Sequence, residues 1–276
     1  SIYKEYVQYY VNNIAKDTTD EDGNIIPGTG YISFDYYPLK IDGATKSILE
    51  THLWNLEYVA GLCRDNGLEL RTYVKSATED DTTNKKRKIE NINDLYMQIY
   101  SALAYGSKEV IYYTFADYDD SGIGMVETSL ETSNVYNWAV QANNEVLAFS
   151  TAYMNFTWKS ASYFGASSNQ QGLTSAGAYG SISAVSSSAS VVVGNFDDAD
   201  EDYMYGAANA YMVVNYGDPS NGTTASDIAI TFNGTPTRVL VYENGVARVV
   251  TLSSNVLTLS LEVGEGAFVI PLTDNR

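Results

Sequence analysis

The chain has 276 residues, 45% hydrophobic and 18% charged, enough apolar material for a sizeable core and long enough for two domains. Acids outnumber bases 34 to 16, and a net charge of −18 repels polyphosphate and anionic lipid, so nucleic acid is not an expected partner. One cysteine, Cys63, permits no internal disulfide or cysteine-based zinc site, and one histidine, His52, excludes a multi-histidine metal site.

In chain order, Ile2, Tyr6, Tyr10 and Ile14 recur every four residues, which predicts a helix over 2–14. A polar loop, "DTTDEDGN" to "PGTG", leads to "YISFDYYPL", a β-rich run closed by Pro38. "THLWNLEYVAGLCRDNG" predicts a helix with Leu53, Leu56, Val59 and Ala60 on one face and Gly67 at its end. "LELRTYVKSA" is the next strand. A charged loop then leads to a helix over 92–105, stopped by Gly106, and to the strand "KEVIYYTFAD". A long helix over about 135–153 follows. This helix–strand alternation is the rhythm of a parallel sheet, whose C-terminal strand ends are the usual place for a ligand. Those ends carry Asp35, Lys75 and Asp117.

Past residue 160 the texture changes. A Ser/Gly/Gln-rich connector gives way to short β-rich runs such as "SASVVVGNF", "SDIAITFNG" and "GAFVIPL". Asn244-Gly245 within "YENGVARVV" is a strong hairpin signal, and the pattern predicts an antiparallel β-sandwich. No apolar run reaches membrane-spanning length, and the sequence calls for no cofactor. The start at Ser1, with neither signal peptide nor initiator Met, is expected of a processed or excised piece. Tyrosine is abundant, 24 residues against 8 Phe and 3 Trp. Its flat face and hydroxyl suit carbohydrate, although a Tyr-rich extracellular lineage gives the same composition.

The runs "YISFDYYPL", "HLWNLEYVAGLCRDNGLELRTYVKSA", "DLYMQIYSALAYGSKEVIYYTF" and "NWAVQANNEVLAF" together resemble the last three strand–helix units of (β/α)8 glycoside hydrolases of the beta-galactosidase type. The Ala104-Tyr105-Gly106-Ser107-Lys108 segment and Asn143-Asn144-Glu145 carry the likeness, and the tail from Arg238 is similar to the β-sandwich that often closes such enzymes. The resemblance implies α/β plus all-β architecture: a partial (β/α)8 barrel over 1–165, a linker over 166–180 and a sandwich over 181–276. It implies a secreted or cell-surface bacterial protein that hydrolyses glycosidic bonds. A whole barrel takes about 250 residues, so the N-terminal half of the barrel is expected as a missing partner.

One departure stands out. Retaining members end strand seven in a nucleophilic Glu, part of a carboxylate pair about 5–5.5 Å apart. Here the corresponding segment reads Val74-Lys75-Ser76, and Glu79 is the nearest acid that follows. Asp35 and Glu79 are therefore the candidate catalytic carboxylates, and Tyr37, Lys75 and Asp117 the candidate sugar-binding residues. Lys75 at a barrel rim suits a sugar carboxylate such as a uronic acid, although a solvated lysine reads the same in sequence. Asp117, Asp119 and Asp120 form an acidic cluster that can grip hydroxyls or a cation. In the β domain Asp198, Asp200 and Asp202 offer oxygen ligands but lack the rest of the helix–loop–helix calcium pattern. His52 is expected at an interface or in solvent, and Cys63 in the core. The alternative function is a degenerate barrel that binds carbohydrate, or serves as a structural module, without cleaving glycosidic bonds.

Overall fold

A computed structural model describes residues 2–42, 45–79, 85–86, 89–116, 122–164, 179–199, 208–221, 224–234 and 236–272. Helix α1 (Ile2–Tyr10) continues as a π-helical turn, Val11–Ala15, and buries Val7, Val11 and Ala15. Strand β1 (Tyr31–Asp35) leads to a hairpin, β2 (Leu39–Asp42) and β3 (Thr45–Ile48), and then to α2 (His52–Asn66). Strand β4 (Glu69–Lys75), α3 (Ile92–Ala104), β5 (Glu109–Tyr113) and α4 (Asn134–Met154) complete the first half. The β1, β4 and β5 strands form a parallel sheet in that order, with Asp35 opposite Tyr73 and Lys75 opposite Tyr113.

The rest is antiparallel. Strands β6 (Phe156–Phe164), β7 (Ile182–Ser187), β8 (Val191–Asp198), β9 (Asn209–Asn215) and β10 (Ser226–Phe232) come first. They are followed by β11 (Arg238–Glu243), β12 (Val246–Thr251), β13 (Val256–Leu261) and β14 (Gly266–Leu272). Six of them form one sheet in the order β6-β8-β9-β14-β11-β12, and β7-β10-β13 form a second. The molecule is thus mixed α/β with a large antiparallel sheet.

Alternation along β8, β9 and β14 sends side chains to both faces of the six-stranded sheet, and at these three strands both faces are dry. Val191, Val193, Val213 and Val269 pack with Ile228, Ile230 and Leu259 of the smaller sheet. Val192, Phe196, Met212 and Phe268 face α3 and α4 and join the core that reaches back to the parallel sheet. Helix α3 is therefore enclosed on nearly every side, with Asn93 through Ala104 all buried, as a helix lying between two sheets must be. Asn91 and Asp94 form a capping box that satisfies its first amides.

Close approach and hydrogen bonds lock this contact. A Cβ on Gly194 of β8 would lie 2.1 Å from the Ala104 carbonyl oxygen, so only glycine lets sheet and helix meet there. Gly106 has φ +82°, and its Cα abuts Trp158, whose indole Nε1 donates to the Ala104 carbonyl at 3.0 Å. The Tyr153 hydroxyl donates to the carbonyls of Leu103 and Ser107 at 2.9 and 3.0 Å. Buried Glu145 accepts from Tyr96 at 2.5 Å, from Tyr100 at 3.3 Å and from Gln141 at 3.1 Å, so this acid clasps α3 to α4. Asn143 accepts from the Tyr112 hydroxyl at 2.9 Å, tying α4 to β5. The motifs Tyr105-Gly106 and Asn143-Asn144-Glu145 are thus joinery in this chain.

Several elements differ from the sequence expectation. The expected connector from Ser160 is still strand as far as Phe164, because Trp158 and Phe156 anchor β6 against α3 and α4. Residues 165–178, most of the expected linker, lie outside the described residues, and β7 follows them. The "YISFDYYPL" run is strand only to Asp35; Tyr36–Pro38 leave the sheet before the β2–β3 hairpin. The Asn244-Gly245 turn is where it was expected, between β11 and β12.

The Gly194 contact yields a paired prediction. Gly194→Ala should cost about 2–3 kcal/mol in chemical denaturation, because the backbone oxygen it meets cannot rotate away. Gly61→Ala, in α2 with open space at its Cβ, should instead stabilise by about 1 kcal/mol. A neutral Gly194→Ala would contradict this account of the interface.

Candidate functional site

The parallel sheet has one face against α2 and α3, supplied by Ile32, Phe34, Leu70, Thr72 and Val74. The opposite face carries Ser33 and Asp35 from β1, Arg71, Tyr73 and Lys75 from β4, and Glu109, Ile111 and Tyr113 from β5. Ser33, Asp35, Glu109 and Tyr113 are exposed on that face, whereas most parallel sheets are covered on both sides. Asp35 and Lys75 therefore share one face at the C-terminal ends of adjacent strands. Asp35 also stands at the lip of a groove of about 430 Å3 between β1 and α1, where Tyr3, Tyr6 and Tyr10 supply aromatic walls.

Lys75 is the centre of this rim. Its side chain is only 2% exposed. The ammonium lies 5.2 Å from the Tyr37 ring centroid and 5.0 Å from that of Tyr113. The two rings stack at 6.1 Å and 22°. Aromatic faces carry negative electrostatic potential, so two of them partly replace the water a buried cation loses. The strand end beneath is fixed by Gln98 of α3, which accepts from the Lys75 amide at 2.7 Å and donates to its carbonyl at 3.2 Å. Ser76 extends the pairing by donating its amide to the Tyr113 carbonyl at 2.8 Å.

The structure thus brings Tyr37, Lys75 and Tyr113 together and sets Asp35 on the same sheet face. Glu79 lies in a two-residue strand, Thr78–Glu79, whose backbone pairs with Gly122–Ile123 a few residues past the rim. Asp117, Asp119 and Asp120 lie outside the described residues, as do Asp200 and Asp202. Among the described residues no group of three or more His, Cys, Asp or Glu side chains is placed to hold a metal ion. No helix among them is long and apolar enough to cross a membrane. Tyr113 is the rim residue that sequence reasoning missed; its signal was the two-residue alternation from Ile111, read against the register with Lys75.

Tyr36 points elsewhere. It stacks on His52 at 6.0 Å, and His52 stacks on Tyr216 of the sandwich at 6.1 Å. The Tyr216 hydroxyl and His52 Nδ1 are 2.9 Å apart. His52 is buried at this interface, and burial without a countercharge lowers its pKa to about 3, so it stays neutral and takes no acid–base role near pH 7. Cys63 is buried as expected, and burial pushes its thiol up to about 12, which leaves it unreactive.

No family model matches the chain, and no curated protein matches it. Among solved structures it is similar to a GH30 endoxylanase from Clostridium papyrosolvens C71, with a TM-score of 0.37 and 14% identity over 87% of this chain. The alignment takes in 49% of that enzyme, so the chain spans about half its length.

The His52 stack carries a pH dependence with a definite sign. Unfolded, the imidazole binds a proton below about pH 6.5, whereas folded it resists one until about pH 3. The stability it contributes is fully present above pH 6.5 and drains away at up to about 1.4 kcal/mol per pH unit as pH falls toward 3. His52→Phe should flatten the melting-temperature profile across that window relative to the unaltered chain. Parallel profiles would show that His52 titrates normally.

Proposed function

We propose that this chain is part of a carbohydrate-active, glycoside-hydrolase-like protein and that it supplies the C-terminal rim of a sugar site. The observation that carries the reading is the Tyr37–Lys75–Tyr113 cluster beside Asp35, on the uncovered face at the ends of three parallel strands. Such a rim joins aromatic faces for sugar C–H surfaces to charged groups for hydroxyls. In this reading residues 1–165 are the last units of a (β/α)8 barrel, 166–180 a linker and 181–276 its sandwich domain, with β6 handed across to the sandwich sheet. An upstream segment would complete the barrel, cover the open face and furnish the remainder of the active site. Asp35 and Glu79 are the carboxylates that this chain offers to acid–base chemistry; Tyr37, Lys75 and Asp117 bind the sugar. The protein acts outside the cell or at its surface.

A second reading has one specific observation in its favour. Lys75 stands where the resembling hydrolases place a nucleophilic carboxylate, and it is buried with its ammonium against the Tyr37 and Tyr113 rings. A cation there cannot attack an anomeric carbon, so the rim would then hold glycan without cleaving it.

Both readings predict that residues 1–276 alone show no turnover of aryl glycosides, and measurable hydrolysis would reject the split site. Asp35→Asn removes an exposed charge, so it should weaken oligosaccharide binding about tenfold with melting temperature almost unchanged. Unaltered affinity would take Asp35 out of the site.

A further inference from the structure

Away from the rim, a cleft of about 530 Å3 opens between the β2–β3 hairpin and the sandwich. Its volume lies in the range of about 300–1,000 Å3 typical of ligand pockets. We propose that this cleft is a second saccharide-binding site, built for a neutral glycan chain; the inference rests on the carbohydrate reading above.

The cleft has braced walls. On one side β3 presents Ser47, and its neighbour Lys46 pins the strand to the start of α3. The Lys46 ammonium lies 2.7 and 2.8 Å from the two Asp94 carboxylate oxygens and 3.2 Å from Glu90. The floor is a hydrogen-bonded set of Tyr163, Ser190 and Tyr216. The Tyr163 hydroxyl donates to Ser190 Oγ at 2.8 Å, and the Tyr216 amide donates to the Ser190 carbonyl at 2.8 Å. The Tyr216 ring is held from behind by His52. At the mouth, the Ser220 amide donates to Asp218 Oδ1 at 2.8 Å. A site already ordered before its ligand arrives loses little entropy on binding.

The lining chemistry selects the ligand. Serine and threonine hydroxyls both donate and accept, which matches the hydroxyl rim of a sugar. Half-buried Tyr163 adds apolar ring surface for its C–H faces, and buried Tyr216 backs the floor beneath. Among the lining residues the charged side chains are Lys46, already matched by two carboxylates, and Asp218. Nothing in that set attracts a phosphate, a sulfate or a uronate, and Asp218 repels them. Ile48, Ala189, Pro219 and Val263 give the wall apolar patches, but a wholly apolar ligand would leave the serine and threonine hydroxyls against it unpaired. Neutral oligosaccharide is the class that satisfies both constraints.

The test is titration calorimetry of the full 276-residue chain with xylohexaose, cellohexaose and mannohexaose. The rim is disabled by Asp35→Asn/Lys75→Met, and the cleft is filled separately by Ser220→Trp or Ser47→Trp, at positions that are exposed or half-buried. Melting temperatures confirm that each variant folds, and each single tryptophan variant repeats the comparison with the rim unaltered. The rim variant should still bind at least one hexaose, and adding either tryptophan should cut that affinity at least tenfold. If the unaltered chain binds but the rim variant does not, or if neither tryptophan changes the affinity, the cleft is not a site, while the rim reading survives. If no hexaose binds the unaltered chain, the cleft and the carbohydrate reading fall together.

Discussion

The central strands of the six-stranded sheet, β8, β9 and β14, are dry on both faces, and the rest of the molecule is arranged around that fact. One face meets the smaller sheet through valine, isoleucine and leucine. The other meets α3 and α4 through Phe196, Met212 and Phe268. A buried aromatic of this kind contributes roughly 1.5–3 kcal/mol, and Phe268 packs with Phe149, Tyr153, Phe156 and Phe196 at centroid distances of 5.5–6.1 Å. Helix α3, which backs the parallel sheet, therefore also lies in the layer that covers the sandwich. Removing the sandwich would strip the hydrophobic cover from α3.

This constraint reaches the rim through α3. Gln98 sits on the helix that the sandwich clamps, and its side chain holds both backbone groups of Lys75. The position of the Lys75 ammonium between Tyr37 and Tyr113 is thus referred, through one helix, to a core distant in sequence. The Tyr36–His52–Tyr216 stack makes a second bridge from the loop after β1 to the sandwich. Both bridges act on the C-terminal side of the parallel sheet, where Asp35 and Lys75 lie. Their stiffness explains how a strand end can keep a buried lysine in place beside a face that is otherwise open.

Much of this was legible in the residues themselves. Four-residue and three-residue apolar spacing located α1, α2 and α4, and Gly67, Gly106 and Asn244-Gly245 marked real ends and turns. The three parallel strands followed from their alternation with helices, and with them the placement of Asp35 and Lys75 at one edge. What stayed hidden depends on partners distant in sequence. Lys75 reads as a solvated lysine until Tyr37 and Tyr113 close over it, and neither ring is adjacent to it in the chain. His52 reads equally as an interface or a solvent-exposed group until Tyr216, 164 residues on, covers its Nδ1. Strand β7 is half serine and carries no strong β signal of its own; pairing with β10 makes it a strand. The β2–β3 hairpin is short, and its Lys46 ion pair with Asp94 ties it to α3, a partner nearly fifty residues on that the local sequence does not reveal.

The central claim is that saccharide meets the chain at the ends of the three parallel strands. Backbone hydrogen exchange, measured with and without a saturating neutral oligosaccharide, tests it most directly. The account predicts slowed exchange at 34–37, 73–77 and 111–116, the three segments that end at the rim. Exchange unchanged in all three segments, while the sugar is demonstrably bound, would contradict it.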